Sequence, residues 1–221
     1  MNLWWRLIKF GFRLLYNELA FTYDSVSKIV SIGAWRCWQR SALNYLPSHD
    51  VLVKQNTPIL EIAHGTGDLQ IDLQQAGYNT IGYDLSPNMG RIAKRKLHKN
   101  NLQADLIRGK AQQLPFQSNQ FPAVITTFPT AFIIAEETLT EINRVLKIDG
   151  VLIIVSSGTF TGGGIIKSIL DWAYRITGQR GEDTQAGEFL AYINQFGFNT
   201  KYETIACPRS LAHLIIAVKM D

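Results

Sequence analysis

The 221-residue chain predicts an α/β fold built on a parallel sheet covered on both faces. Three observations lead there. From Thr57 onward, short apolar runs alternate with amphipathic segments of helical length, the pattern of successive β-α-β units. The apolar runs are nearly continuous rather than alternating, which marks strands buried on both faces. The first of them, Ile59-Leu60-Glu61-Ile62, runs into a turn with two closely spaced glycines, His64-Gly65-Thr66-Gly67, and then into a helical pattern. Such a junction lets the backbone approach a ligand closely and aims free N–H groups at it.

In chain order, Thr22-Tyr23-Asp24 reads as a short turn, and a helix runs from Gly33 to about Leu46, where Pro47 ends it. Strand 57–63 leads to helix 67–77, closed by Gly77. Strand 79–85 leads to helix 87–100, opened by Ser86-Pro87, a cap followed by a first-turn proline. Strand 103–109 follows, then a fourth strand over Phe121–Phe128. Helix 136–147 carries Glu136, Glu137 and Glu141 in its first half and Arg144 and Lys147 in its second, in line with the helix dipole. Asp149-Gly150 turns into strand 151–156. Beyond the triplet Gly162-Gly163-Gly164, which reads as a hinge because no Gly-Lys-Ser/Thr follows, come helices over 165–177 and 185–196. Strands 199–206 and 210–219 follow as the last two.

The composition suits one globular unit. Hydrophobic residues make up 46% of the chain, enough for a single sizeable core. The net charge of +4 is a mild excess that requires neither nucleic acid nor anionic lipid. The basic run Arg91, Lys94, Arg95, Lys96, His98, Lys99 on the second core helix reads as a solvated face, and no nucleic-acid partner is expected. Cys37 and Cys207 lie far apart with no metal-type spacing, so the expectation is a reduced, cytoplasmic, metal-free protein.

The turn itself narrows the ligand. Asp84, at the tip of the second core strand, is placed to accept two hydrogen bonds from a ribose diol. A dinucleotide site wants Gly-x-Gly-x-x-Gly, whereas here Asp68 follows the second glycine and Gln70 stands at the third glycine position. A carboxylate there repels phosphate. An adenosine carrying a charged amino-acid tail and no phosphate fits better.

Glu61-(x)3-Gly65-x-Gly67 resembles the first motif of the class I S-adenosylmethionine-dependent methyltransferases. Ala63-His64-Gly65-Thr66-Gly67-Asp68-Leu69, with the upstream Tyr23-Asp24, Ser31-Ile32-Gly33 and Trp38-Gln39-Arg40, is similar to the ubiquinone/menaquinone biosynthesis C-methyltransferases. The likeness runs from about Tyr23 to Val155. It implies a Rossmann-like, doubly wound, seven-stranded mixed sheet with the last strand antiparallel, an N-terminal helical cap (1–46) and a cofactor-binding domain (47–221). It also implies S-adenosyl-L-methionine as cofactor, held by Tyr23, Glu61, Ala63, Gly65, Thr66, Gly67, Asp84, Leu85, Lys110, Ala111 and Thr127.

Departures from that pattern are informative. Gly109-Lys110-Ala111-Gln112-Gln113-Leu114-Pro115-Phe116 is similar to the family segment whose acid or amide takes the adenine amino group, but Lys110 cannot accept a hydrogen bond. Adenine is then expected on the Ala111 backbone and on apolar contacts with Leu85 or Leu114. Thr127 stands at the family's cofactor-touching serine, and Pro122 replaces its usual acid. No Asn-Pro-Pro-Tyr/Phe is present, which argues against amide N-methylation of DNA or protein. Segment 158–184 is the expected acceptor lid.

Methyl transfer needs little beyond placing a nucleophile in line with an activated methyl group, and a general base helps when the acceptor is a phenol, amine or ring carbon. The candidates are His64, Tyr23 and Asp24, with the alternatives that His64 points aside and tolerates the turn and that Tyr23 and Asp24 are core and cap residues. Residues 2–20 set aromatics, including Trp4 and Trp5, against Arg6, Lys9 and Arg13 on one helical face, a pattern suited to peripheral contact with a membrane or to capping the site. They are too short and charged to span a bilayer. The functional expectation is methylation of a lipid-like or aromatic small molecule, with a soluble metabolite or a non-catalytic binding protein as alternatives.

Overall fold

Ile59, Leu60 and Ile62 are all almost fully buried although successive strand residues point to opposite faces, so their strand needs cover on both sides. The computed structural model, which describes Ser27, Ser31 and residues 33–48, 57–161 and 183–221, supplies that cover. Seven strands lie in the order β3-β2-β1-β4-β5-β7-β6. They are β1 (Ile59–Ile62), β2 (Thr80–Asp84), β3 (Leu106–Arg108), β4 (Phe121–Thr127), β5 (Leu146–Phe160), β6 (Phe198–Cys207) and β7 (Ser210–Lys219). Strands β1 to β5 pair in parallel, while β7 runs antiparallel to both β5 and β6.

The helices are α1 (Trp35–Arg40), α2 (Asp68–Gln75), α3 (Pro87–Lys99), α4 (Glu136–Val145) and α5 (Asp183–Asn194). One face of the sheet packs Leu60, Val124, Leu152 and Ile215 against Leu139, Ile142 and Val145 of α4 and Ile193 of α5. The other packs Ile59, Ile125, Ile153 and Leu214 against Trp38 of α1 and Leu69 and Leu73 of α2. The near-continuous apolar strands of the sequence are thus the two inner faces of one doubly covered sheet.

Local chemistry explains the element ends. Ser86 Oγ accepts from Met89 N–H at 3.3 Å and Pro87 occupies the first turn of α3, as its sequence signature predicts. The helix expected over 33–46 is split, with α1 tightening at Ser41–Tyr45 into a 3-10 turn before Leu46 becomes extended ahead of Pro47. Strand β5 is longer than expected. It begins at Leu146, paired with Phe121, so the Asp149-Gly150 bend, where Asp149 takes a φ of +59°, lies inside the strand. Pro122 sits where that pairing shifts register, which fits a residue that cannot donate to the ladder. Tyr23, Asp24, residues 2–20, the glycine triplet and helix 165–177 lie outside the described residues. Among the described residues, no helix is long and apolar enough to cross a membrane.

One expectation is overturned. Cys37 and Cys207, 170 residues apart, form a disulfide that joins α1 to the end of β6. Sequence distance concealed their proximity because α1 packs on the outer part of the sheet, where β6 ends. Beside the bridge, the buried Trp38 donates its indole N–H to Ser210 Oγ at 3.0 Å and packs edge-on to Phe160. The crosslink closes most of the chain into one loop. Substituting both cysteines by serine should therefore lower stability by about 2–5 kcal/mol. Denaturant unfolding with and without a thiol reductant checks this, and an unchanged midpoint would mean that the cysteines are not bridged.

Candidate functional site

The turn after β1 is held by a carboxylate from the neighbouring strand. Asp84, the last residue of β2, accepts from Gly65 N–H at 2.9 Å through one oxygen and from Ser86 N–H at 2.7 Å through the other. Ala63 N–H reaches Tyr83 O at 2.7 Å, so the strand ends are joined by backbone as well. Ala63, Gly65 and Gly67 have φ of +59°, +55° and +80°. For Ala63 that conformation is strained, a feature that gathers at ligand clamps. A Cβ on Gly65 would meet nothing within 4 Å, so the turn faces open space there. A Cβ on Gly67 would lie 2.8 Å from Ala93 Cβ, so this glycine serves the contact between the turn and α3.

Beneath the turn the carboxyl groups are buried or half-buried, and each has a partner. Glu61 is buried and accepts from Gln70 Nε2 at 2.6 Å, and Gln70 in turn accepts from Thr80 Oγ1 at 2.7 Å. Burial, opposed by the Gln70 bond and reinforced by Asp84, Asp68 and Asp72, pushes the Glu61 carboxyl up to about 8. Asp68 is paired with Lys96 of α3 and with Arg36 of α1, the latter at 3.4 Å, and Arg36 also binds Asp72 at 2.6 Å. Lys96, read from sequence as part of a solvated face, instead reaches the turn, with Nζ 3.3 Å from Thr66 Oγ1.

His64 lies under the turn rather than over the open side. It is 4% exposed, its Nδ1 is 2.9 Å from Gly65 O, and a Cβ on Gly82 would touch its ring at 2.9 Å. Burial lowers its pKa, against the pull of Asp84.

The remaining described candidates lie at or just beyond the ends of β2, β3 and β4. Leu85, next to Asp84, is 58% exposed, a bare apolar surface beside the carboxylate. Gly109 N–H donates to Asp84 O at 3.1 Å, which brings the segment 109–116 alongside, with Lys110 exposed and Ala111 buried. Thr127, ending β4, accepts from Gln39 Nε2 of α1 at 3.3 Å. After it, Phe128 at φ +50° stacks on Trp35 with ring centroids 4.0 Å apart. Sequence reasoning missed Arg36, Gln39 and Trp35, because it treated the helix as a cap without placing it against β4 and α2. Among the described residues, no group of three or more His, Cys, Asp or Glu side chains could hold a metal ion. A cavity of about 930 Å³ opens near Pro58, Tyr78 and Ala104, at the opposite end of the strands from the turn.

The arrangement suits a ligand such as S-adenosylmethionine, with a carboxylate that retains lone pairs, a glycine facing open space at Gly65 and the exposed apolar Leu85 beside them. Comparisons with known proteins agree. Residues 59–150 match the model of a methyltransferase domain. The chain is 30% identical over 222 residues to a demethylmenaquinone methyltransferase of Thermus thermophilus, covering 90% of this chain and 98% of that one. It is 28% identical to a ubiquinone/menaquinone biosynthesis C-methyltransferase of Campylobacter jejuni, over 86% and 84% of the two chains. Among solved structures, a protein from Methanococcus maripaludis shares the fold with a TM-score of 0.61 at 19% identity, covering 91% and 92%. A geranyl diphosphate C-methyltransferase of Streptomyces coelicolor, solved with S-adenosylhomocysteine, gives 0.56 at 12% identity over 74% and 73%.

The buried Glu61 makes stability depend on pH. Its folded pKa of about 8 lies above the ordinary carboxyl value of 4.5, so the fold binds the extra proton. The stabilisation is complete below 4.5, falls as pH rises toward 8 and is gone above it. Thermal unfolding from pH 5 to 9 should show this decline, and Glu61→Gln should flatten it. A Glu61→Gln profile parallel to the parent's would contradict the assignment.

Proposed function

This chain belongs to the S-adenosylmethionine-dependent methyltransferases of the ubiquinone/menaquinone biosynthesis C-methyltransferase family, and from that premise we propose that it methylates a ring carbon of a lipid-like, quinol-type acceptor. The observation that carries this reading is the near-complete, end-to-end match with the Thermus thermophilus enzyme. A shared cofactor motif alone would cover only the first strands and helices.

In the proposed complex, Asp84 holds the ribose hydroxyls. Its two oxygens offer about four lone-pair sites, and the bonds from Gly65 and Ser86 use two of them. Glu61, Ala63, Gly65, Thr66 and Gly67 form the floor under the amino-acid tail, with Gly65 giving the closest approach. Leu85 stacks on the adenine, and the Ala111 N–H takes a ring nitrogen. Lys110 is assigned its backbone only. Thr127 and Gln39 mark the methyl end, and the Trp35–Phe128 stack offers an aromatic wall to a planar acceptor.

Bound there, the cofactor would supply a methyl group on a positively charged sulfur, with the pair of the broken S–C bond staying on sulfur and the proton displaced from the acceptor ring passing to water. The residues therefore act by holding the two partners in line and excluding water. His64 is assigned to the turn. Tyr23 and Asp24 stay as proposed cofactor- or acceptor-facing groups. Residues 2–20 are proposed to bring the site to a lipid surface, where a prenylated acceptor resides, and flotation of the chain with anionic liposomes tests that part.

The direct experiment is two-fold. Calorimetry with S-adenosylhomocysteine should show one site per chain, and methyl-labelled S-adenosylmethionine should transfer label to the ring of demethylmenaquinol. Binding of the product cofactor with no labelling of the quinol would overturn the acceptor and leave the cofactor site standing.

A further inference from the structure

Loop 109–116 is fastened to the rest of the site by a side chain that no sequence signal singled out. Tyr83 immediately precedes Asp84 on β2, is buried, and points to the opposite face of the sheet. Its hydroxyl lies 3.3 Å from Lys110 O and 3.2 Å from Gln113 O, so one O–H is shared between the two carbonyls that flank Ala111 and Gln112. Those carbonyls belong to one turn, closed by Gln113 N–H donating to Lys110 O at 3.0 Å. The loop can approach this closely only because residue 109 is glycine, since a Cβ there would lie 1.8 Å from the Tyr83 hydroxyl.

Farther along, the loop is clamped a second time. Glu141 of α4 accepts from Leu114 N–H at 2.7 Å, and Arg144 donates to Leu114 O at 3.0 Å and to Phe116 O at 2.7 Å. These two residues are themselves joined by a bidentate pair at 2.7 and 2.8 Å. Phe116 then packs edge-on to Tyr83, ring centroids 5.9 Å apart. The clamp fixes the far end of the loop, and Tyr83 fixes the end beside Asp84.

We propose that Tyr83 is a positioning residue for base selection: by pinning the turn at Lys110 and Gln113, it sets the Ala111 N–H at a fixed distance from the carboxylate of Asp84, one residue away along β2. The inference rests on the S-adenosylmethionine reading above. Because the Lys110 side chain cannot accept from an exocyclic amine, recognition of the base depends on the Ala111 N–H meeting N1 of adenine, the unprotonated ring nitrogen next to that amine. Hypoxanthine carries a proton on that nitrogen, so donor would face donor. Selection between the two bases is therefore as sharp as the loop is firmly placed. Burial, with Glu141 nearby, raises the Tyr83 pKa, which keeps its hydroxyl a donor.

The test is Tyr83→Phe, which removes only the hydroxyl, with binding of S-adenosylhomocysteine and S-inosylhomocysteine measured by calorimetry alongside thermal unfolding. The parent should prefer the adenosyl ligand. In Tyr83→Phe, affinity for that ligand should fall roughly five- to tenfold, the effect of one lost hydrogen bond, and the ratio between ligands should shrink. A general loss of stability would weaken both ligands alike and leave the ratio intact. An unchanged ratio in a folded Tyr83→Phe would overturn the proposal. Should that variant not fold, Gly109→Ala, which forces the loop away from the same hydroxyl, gives the same two outcomes. If the parent binds neither ligand, the cofactor reading itself has failed.

Discussion

The carboxylate of Asp84 is the constraint on which the rest of the site depends. It sits at the end of β2 and accepts from the turn after β1 and from the start of the segment leading into α3. It thereby ties two β-α junctions together before any ligand arrives. A turn with three consecutive odd positions in the left-handed region, one of them an alanine, persists only when its surroundings over-determine it. Asp84, the Ala63–Tyr83 backbone bond and the packing of Gly67 on Ala93 do so together. The same carboxylate retains lone pairs after closing the turn, so it can accept further hydrogen bonds there.

Beneath that surface, carboxyl groups crowd around the turn, and each is handled differently. Glu61 is kept neutral by burial and hydrogen-bonded to Gln70. Asp68 and Asp72 are met by cations from α1 and α3. Asp84 is met by the backbone N–H groups of Gly65 and Ser86. Helix α1 matters here beyond its role as a cover. It brings Arg36 to α2, Gln39 to the end of β4 and Trp35 to Phe128, and the disulfide anchors it to β6.

Much of this was legible in the residues. The alternating apolar runs, the Ser86-Pro87 start and the two glycines located the strands, α3 and the turn, because each depends on short-range chemistry. The neighbourhoods of Lys96, Cys37 and Tyr83 were not legible. Lys96 looked like one more exposed cation in a basic run, and only the close packing of α3 on the turn, allowed by Gly67, brings it to Asp68. Cys37 and Cys207 meet because β7 inserts between β5 and β6, a topology that gives no local signal. Tyr83 looked like one apolar strand residue among others, and its hydroxyl gains meaning from a glycine on a different strand's exit. The burial of the His64 ring against Gly82 was equally illegible, because it depends on the pairing of β1 with β2.

The most direct measurement of the central claim is the affinity of the chain for S-adenosylhomocysteine beside that for its 3′-deoxy analogue. If Asp84 grips the sugar, loss of a hydroxyl bonded to a carboxylate should weaken binding roughly tenfold or more, and Asp84→Asn should narrow that gap. Equal affinity of the parent for the two ligands would contradict the account, because the carboxylate would then be closing the turn without touching the cofactor.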